Sequence, residues 1–270
     1  MKMNNVFAQT MPSPTQDRNF VLSGRQLFSG GHAEEIGLRS SMEDACAIIG
    51  EFAGAGTQFY GVFDGHGGNE VSLYCANNLH RVISRTLKDE DITVEKAIIN
   101  SIEEVNKGAS SKYPNTGSTA AIVMVVNNIV YCANVGDTRI LLVENGKTTR
   151  CSYDHKASDP AERQLVLARG GQIVQNRVNG VLMLSRAIGD RVVGPGLSCE
   201  PFIKRMRRKD GMRIVIACDG VFDVVDDETV GSLATRHSNT QEAARVIKDL
   251  AISRGTTDNV TCIVINLTPK

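Results

Sequence analysis

The sequence predicts an α+β fold: one domain of antiparallel sheets with helices layered on them. Three observations carry that expectation. The middle of the chain is a run of consecutive strand segments, Gly117 to Val126, Ile129 to Val135 and Arg139 to Val143. They are joined by Asn127-Asn128 and followed by Glu144-Asn145-Gly146-Lys147, and Asn-Gly is a strong signal for a type I′ hairpin turn. The helical segments come in pairs. No internal repeat or linker divides the 270 residues.

Taken in order, residues 1 to about 20 are polar and proline-bearing without periodicity, which reads as a flexible arm (1–21) ahead of a single domain (22–270). A strand is expected over Ala33 to Leu38, and Arg39-Ser40-Ser41-Met42-Glu43-Asp44 leads into the apolar run Ala45 to Ile49. Phe59 to Asp64 reads as a buried strand, because aromatic and β-branched residues dominate it and glycines end it. From Gly68 to Leu87 the apolar positions Val71, Cys75, Leu79, Val82, Ile83 and Leu87 recur at three and four, the period of an amphipathic helix. A second helix carries Val94, Ile98, Ile102, Val105 and Ala109 on one face. Ser158-Asp159-Pro160 is a cap with proline at the first helical position, and that helix runs to Arg169 before Gly170-Gly171. Arg213 to Cys218 is a strand, Asp227 to Arg236 and Gln241 to Arg254 are helical, and Asn259 to Leu267 closes the chain as a strand.

Thirty basic and thirty acidic residues leave no net field, which gives no support to nucleic-acid or membrane partners. Seven cysteines are scattered singly, mostly inside apolar runs, as suits reduced thiols rather than a disulfide framework. No apolar stretch approaches 18 residues, and neither a signal-peptide pattern nor a glycine at position 2 is present. The expectation is a soluble cytoplasmic protein, with the nucleus as a second location and a monomer as the favoured state.

The recurring event is a hydrophobic strand running into an acid: Val62-Phe63-Asp64-Gly65, Asn134-Val135-Gly136-Asp137 and Ala217-Cys218-Asp219-Gly220, with Asp258-Asn259 just before the last strand and Glu43-Asp44 at the head of another. A buried unpaired carboxylate is costly, so acids at element ends are not a core requirement. If these ends meet at one edge of the sheets, the carboxylates repel one another unless cations neutralise them. An oxygen-only donor set selects hard divalent ions, Mg²⁺ or Mn²⁺, whereas zinc would want a His and Cys spacing that is missing here. Two such ions sharing an acid suit an in-line displacement at phosphorus.

Seven segments, Arg39-Ser40-Ser41-Met42-Glu43-Asp44-Ala45, Asp64-Gly65-His66-Gly67-Gly68, Gly117-Ser118-Thr119-Ala120, Asn134-Val135-Gly136-Asp137-Thr138-Arg139, Ser185-Arg186-Ala187-Ile188-Gly189-Asp190, Cys218-Asp219-Gly220-Val221-Phe222-Asp223 and Asp258-Asn259-Val260-Thr261, resemble in order the motifs of the metal-dependent type 2C protein Ser/Thr phosphatases. The resemblance covers Leu22 to Leu267. It implies a four-layer αββα sandwich, two central antiparallel sheets flanked by helix pairs, with a dinuclear site at one edge. Carried over by motif, Asp64 resembles the acid bridging both metals and Gly65 offers its carbonyl. Glu43 matches a ligand of one ion, and Asp219 and Asp258 match ligands of the other. Asp137, with Asp219 and Asp223, resembles a weaker third-metal site. Arg39 resembles the guanidinium that grips the substrate phosphate, and His66 the general acid. Asp44 and Asp190 fall within motifs and are held as supporting groups. Two departures, the missing proline after Lys156 and Phe222 in place of a common tryptophan, touch no proposed ligand. Around Gln172 to Asn179 the family carries a variable flap.

The implied activity is hydrolysis of phosphoserine and phosphothreonine on protein substrates by direct attack of a metal-bridging water. The alternative is a catalytically inactive, metal-bound interaction module of the same fold. A cysteine-dependent phosphatase is disfavoured: Cys-x₅-Arg occurs as Cys75 to Arg81 and Cys199 to Arg205, but without the glycines of a phosphate cradle. The basic run Lys204 to Lys209 reads first as a solvated strand end and turn and second as a localisation signal.

Overall fold

The computed structural model describes residues 19–270, so the expected arm over 1–21 lies outside the described residues except for its last three positions. Two of those positions are structured, since β1 spans Phe20–Ser23. β2 (Phe28–Glu35) leads into the loop with Arg39 and Glu43, and β3 (Ala45–Gly50) and β4 (Gln58–Phe63) follow, buried along their whole length. After the two-residue β5 (Gly65–His66), α1 (Glu70–Thr86) buries Val71, Cys75, Leu79 and Ile83, the stripe expected from its period. α2 (Val94–Lys112) is capped by Thr93, whose hydroxyl accepts the Lys96 N–H.

The strand run comes next: β6 (Gly117–Ser118), β7 (Ala120–Val126), β8 (Ile129–Val135), β9 (Arg139–Glu144) and β10 (Lys147–Arg150). Both expected turns form, with Asn127 and Asn128 at φ 49° and 62°, and Asn145 and Gly146 at 52° and 74°. Two successive left-handed residues make a type I′ turn, which matches the twist of the strands it joins. α3 (Pro160–Ala168) is capped by Asp159, whose carboxylate accepts the N–H groups of Ala161 and Glu162. The expected flap contains a small hairpin, β11 (Ile173–Val174) and β12 (Arg177–Val178), and β13 (Ile188–Gly189) follows it. The chain then forms β14 (Phe202–Arg207), β15 (Arg213–Ala217), α4 (Asp219–Phe222), α5 (Asp227–Arg236), α6 (Thr240–Ser253) and β16 (Val260–Pro269).

Two large sheets result, with orders β1-β3-β4-β7-β8-β14 and β10-β9-β15-β16-β2. The period of two along each strand decides the layers. Phe59 and Phe63 of β4 point to one side, into a core with Leu79 and Ile83 of α1 and Ile98 and Ile102 of α2. Tyr60 and Val62 point to the other side and meet Ile140, Ile214, Ile216, Ile263 and Ile265 of the second sheet. The outer face of that sheet, with Leu141, Val215 and Val264, packs on Val230 of α5 and Ile247 of α6. Both faces of the central strands are covered, which is why they read as continuous apolar runs. Each large side chain so enclosed contributes about 1.5–3 kcal/mol. The αββα layering expected from the resemblance is present.

Three local features differ from the sequence reading. β1 pairs with β3 in parallel, an exception at one edge of the sheet. The strand expected over 33–38 starts at Phe28 and stops at Glu35, because Gly37 turns the chain at φ 65° against the Asp258 carbonyl, where a Cβ would collide. Asp219-Gly220 does not simply end a strand but opens α4. The basic run 204–209 forms the edge strand β14 and the turn after it, where Arg205 pairs with Glu95, Lys209 with Glu144 and Arg208 with Asp210. That accords with a solvated strand end. Among the described residues, no helix is long and apolar enough to cross a membrane.

Candidate active site

The acids arrive at one edge of the sandwich because four strand ends do. Asp64 follows β4 and Asp137 follows β8, both in the first sheet; Asp219 lies just beyond β15 and Asp258 just before β16, in the second. Face-to-face packing brings these ends together around a cleft of about 530 Å³. Every ligand and catalytic residue carried over from the resemblance lines it: Arg39, Glu43, Asp64, Gly65, His66, Asp137, Asp219, Asp223 and Asp258, while the supporting groups Asp44 and Asp190 do not. From the flap side, Arg177, Leu182, Met183 and Leu184 complete the wall.

Local bonds aim these groups. The Asp64 amide donates to Thr119 Oγ1 (3.1 Å) and its carbonyl accepts the Thr119 N–H (2.8 Å), so the strand end is held from both sides. Glu43 reaches the glycine turn, with Oε2 accepting the Gly68 N–H at 3.2 Å and Oε1 the Ser41 hydroxyl at 3.0 Å. A Cβ on Gly68, at φ 139°, would collide with the Glu70 carboxylate. The Asp223 amide donates to the Asp219 carbonyl (2.8 Å), setting the two acids one helical turn apart on the same side of α4. Arg39 stays largely open to solvent and pairs with Asp258 through Nη2 and Oδ2 at 2.7 Å. His66 Nε2 lies 2.6 Å from Asp190 Oδ2.

The electrostatic consequence is strong. Burial, then Asp44, Asp219, Asp137 and Asp258, push the Asp64 carboxyl well above the usual range. Burial and the neighbouring acids Asp137, Asp223, Asp258 and Asp44 take Asp219 to about 7. Burial likewise carries Asp44 up to about 6, against hydrogen bonds that favour its anion. Asp44 keeps one oxygen, Oδ2, buried and without a hydrogen-bond partner. Carboxylate oxygens of Asp44 and Asp64 and the Cys218 sulfur lie within 4.8 Å of one another. Crowded carboxylates of this kind are held by a fold at a cost unless positive charge joins them. The donor set of carboxylates with a backbone carbonyl suits Mg²⁺ or Mn²⁺.

Sequence reasoning overlooked several partners. Asn259 ties the Arg39 loop to β16: its Nδ2 donates to the Ile36 and Ser41 carbonyls (2.8 and 3.0 Å), and its Oδ1 accepts the Glu43 N–H (2.8 Å). Its motif was noted, and a polar residue opening a buried strand is the signal that could have found it. Lys156, treated only as part of a departure, reaches Asp137. Asp190 is the partner of His66, and its own backbone sits at φ 53°. Phe222 lies under the Arg139 guanidinium, 4.5 Å from ring centroid to Cζ, so the missing tryptophan leaves a cation–π contact in place. Neither Cys75 nor Cys199 lines the cleft, and burial pushes both thiols up.

Fold and cleft together define a class: a layered αββα protein whose chemistry sits in carboxylates gathered where two sheets end. The chain belongs to the protein phosphatase 2C family, whose model matches residues 29–260. Over 242 residues it is 39% identical to protein phosphatase 2C homolog 1 of Schizosaccharomyces pombe, spanning 85% of this chain and 70% of that one. It is 34% identical over 250 residues to protein phosphatase 2C homolog 1 of Saccharomyces cerevisiae, spanning 85% and 89%. Among solved structures, a C. elegans sex determining protein superposes with a TM-score of 0.83 at 27% identity, covering 91% of this chain and 66% of that one.

Proposed function

We propose that the cleft hydrolyses phosphoserine and phosphothreonine esters of protein substrates with divalent cations, Mg²⁺ or Mn²⁺, held by its acids. Membership of the protein phosphatase 2C family makes the chain a metal-dependent protein serine/threonine phosphatase, a hydrolase. The observation that carries the assignment of residues is the convergence of Glu43, Asp64, Asp219 and Asp258 with Arg39 and His66 in one cleft.

Glu43, Asp64 and the Gly65 carbonyl would hold one ion, and Asp64, Asp219 and Asp258 the second. Asp137 and Asp223, with Asp219, would hold a third, weaker ion. When bound, these cations acidify water and neutralise charge at the phosphoryl oxygens. Arg39 releases its fork from Asp258 and grips the substrate phosphate, whose planar pairs of oxygens match the guanidinium. His66 donates a proton to the departing serine or threonine oxygen, and Asp190 fixes the ring through Nε2. The described chain from β1, which begins at Phe20, to residue 270 forms the single catalytic domain. The chain acts as a monomer in the cytoplasm or nucleus; its free, buried or half-buried cysteines suit the reducing conditions of those compartments.

The test is turnover of a phosphopeptide. EDTA is expected to abolish it, and Mn²⁺ or Mg²⁺ to restore it. Full turnover by metal-free protein would refute the metal assignment, and no turnover under any metal condition would return the interaction-module reading.

A further inference from the structure

We propose that Lys156 is a tethered counter-cation for Asp137, so that a divalent ion takes the outer position only by displacing the lysine ammonium. The inference rests on the reading above that Asp137 belongs to the weakest cation position. Lys156 Nζ lies 3.2 Å from Asp137 Oδ2, and the acid's side chain is 8% exposed.

Neither partner is free to drift. Asp137 follows Gly136, whose carbonyl accepts the His155 N–H at 3.0 Å and whose N–H donates to His155 Nδ1 at 3.2 Å. The residue before Lys156 is therefore bonded to the residue before Asp137. On the other side, the Ala157 N–H donates to the Met183 carbonyl at 2.7 Å, and Lys156 itself bridges to Leu184. The short span between these anchors delivers the ammonium to the carboxylate by construction.

The charges explain why it stays there. Lys156 lines the cleft together with Asp137, Asp219 and Asp223, so one ammonium faces three carboxylates. Those are the same three acids assigned to the weak ion. One positive charge thus leaves the acids undercompensated. A dication compensates them further, but it must expel the ammonium and shed water, which lowers its net affinity. The outer position is weak because this chain carries its own competitor.

The experiment is titration of Mn²⁺ into the full chain, followed by calorimetry and by electron paramagnetic resonance of free Mn²⁺, for the wild type, Lys156→Met, Asp137→Asn and the double variant. Lys156→Met is expected to tighten the weakest binding event at least tenfold, the effect of removing a unit charge about 6 Å from a dication even at the dielectric of bulk water. The two tight events should tighten by less than the weakest one, since they share only Asp219 with it. Asp137→Asn should weaken the last event, and Lys156→Met should then add nothing. Lys156→Gln, a second neutral side chain, should reproduce the tightening. If Asp137→Asn weakens the event but neither lysine variant tightens it, the competitor role is wrong while the ligand assignment stands. A tightening of equal size in the Asp137→Asn background also overturns the proposal, because the lysine would then act on the cleft at large. If Asp137→Asn leaves the weakest event unchanged, the ligand assignment fails and the proposal fails with it.

Discussion

Replacing Asp219 with Asn should stabilise the metal-free protein, and by an amount that grows with pH. Burial and the surrounding acids raise this carboxyl in the folded chain from its ordinary 3.8 to about 7. At intermediate pH the folded chain therefore holds a proton that the unfolded chain has lost. The stability contributed in this way is complete below about 3.8, and it is lost as pH rises through about 7. Ionising the group inside the fold at pH 8 costs about 4 kcal/mol relative to the unfolded chain. At pH 5 the corresponding cost is about 1–2 kcal/mol, because the folded group is still protonated. Asn imitates the protonated acid at every pH. Urea unfolding in EDTA should thus show Asp219→Asn more stable than the wild type by about 4 kcal/mol at pH 8 and by less than half of that at pH 5. Mn²⁺ should reverse the order: at a hundredfold excess over Kd each of the two tight ions adds about 2.7 kcal/mol to the wild type, together about 5.4 kcal/mol, while the variant loses a ligand. Equal gains at the two pH values, or a variant less stable than the wild type at pH 8 in EDTA, would refute the reasoning.

His66→Gln should slow phosphopeptide hydrolysis by about 10²–10⁴-fold while slowing nitrophenyl phosphate far less, because nitrophenolate leaves without a proton; kcat for both substrates at saturating Mn²⁺ decides it, and equal losses would leave His66 a structural residue. Gly117→Ala should mimic part of that loss, about a hundredfold on phosphopeptides, because the new Cβ would strike the Asp190 carboxylate and His66 Nε2. A wild-type rate there would mean that the pair can move without consequence. Glu162→Ala removes the buried carboxylate that holds Arg186 through Nε (3.0 Å) and Nη2 (2.7 Å) and accepts the Ser185 hydroxyl (2.6 Å). It should cost about 3–5 kcal/mol by urea unfolding, the effect of leaving one member of a buried pair uncompensated; a loss below about 1 kcal/mol would show that water replaces it.

Much of the fold was legible because its signals are local. The Asn127-Asn128 and Asn145-Gly146 turns depend on which residues tolerate positive φ, and the α1 stripe depends on a period of 3.6; both are properties of a few neighbouring residues. The acids were visible one by one as strand ends, and the resemblance ordered them. The flap hairpin β11–β12 left a weaker mark, since two-residue strands carry too few positions for a pattern.

By itself, then, the sequence determined the type and order of the main elements and the set of acids that terminate strands. Only the tertiary structure decided which oxygen faces which cation or proton. His66 and Asp190 are 124 positions apart, and Glu43 and Asn259 are 216 apart. No local propensity encodes such pairs; they form when the two sheets stack and bring distant strand ends and loops to one edge. The same holds for Lys156 and Asp137, which meet because His155 is bonded to Gly136. Side-chain period decides what lies inside a sheet, but the stacking of one sheet on another decides what its ends can bind.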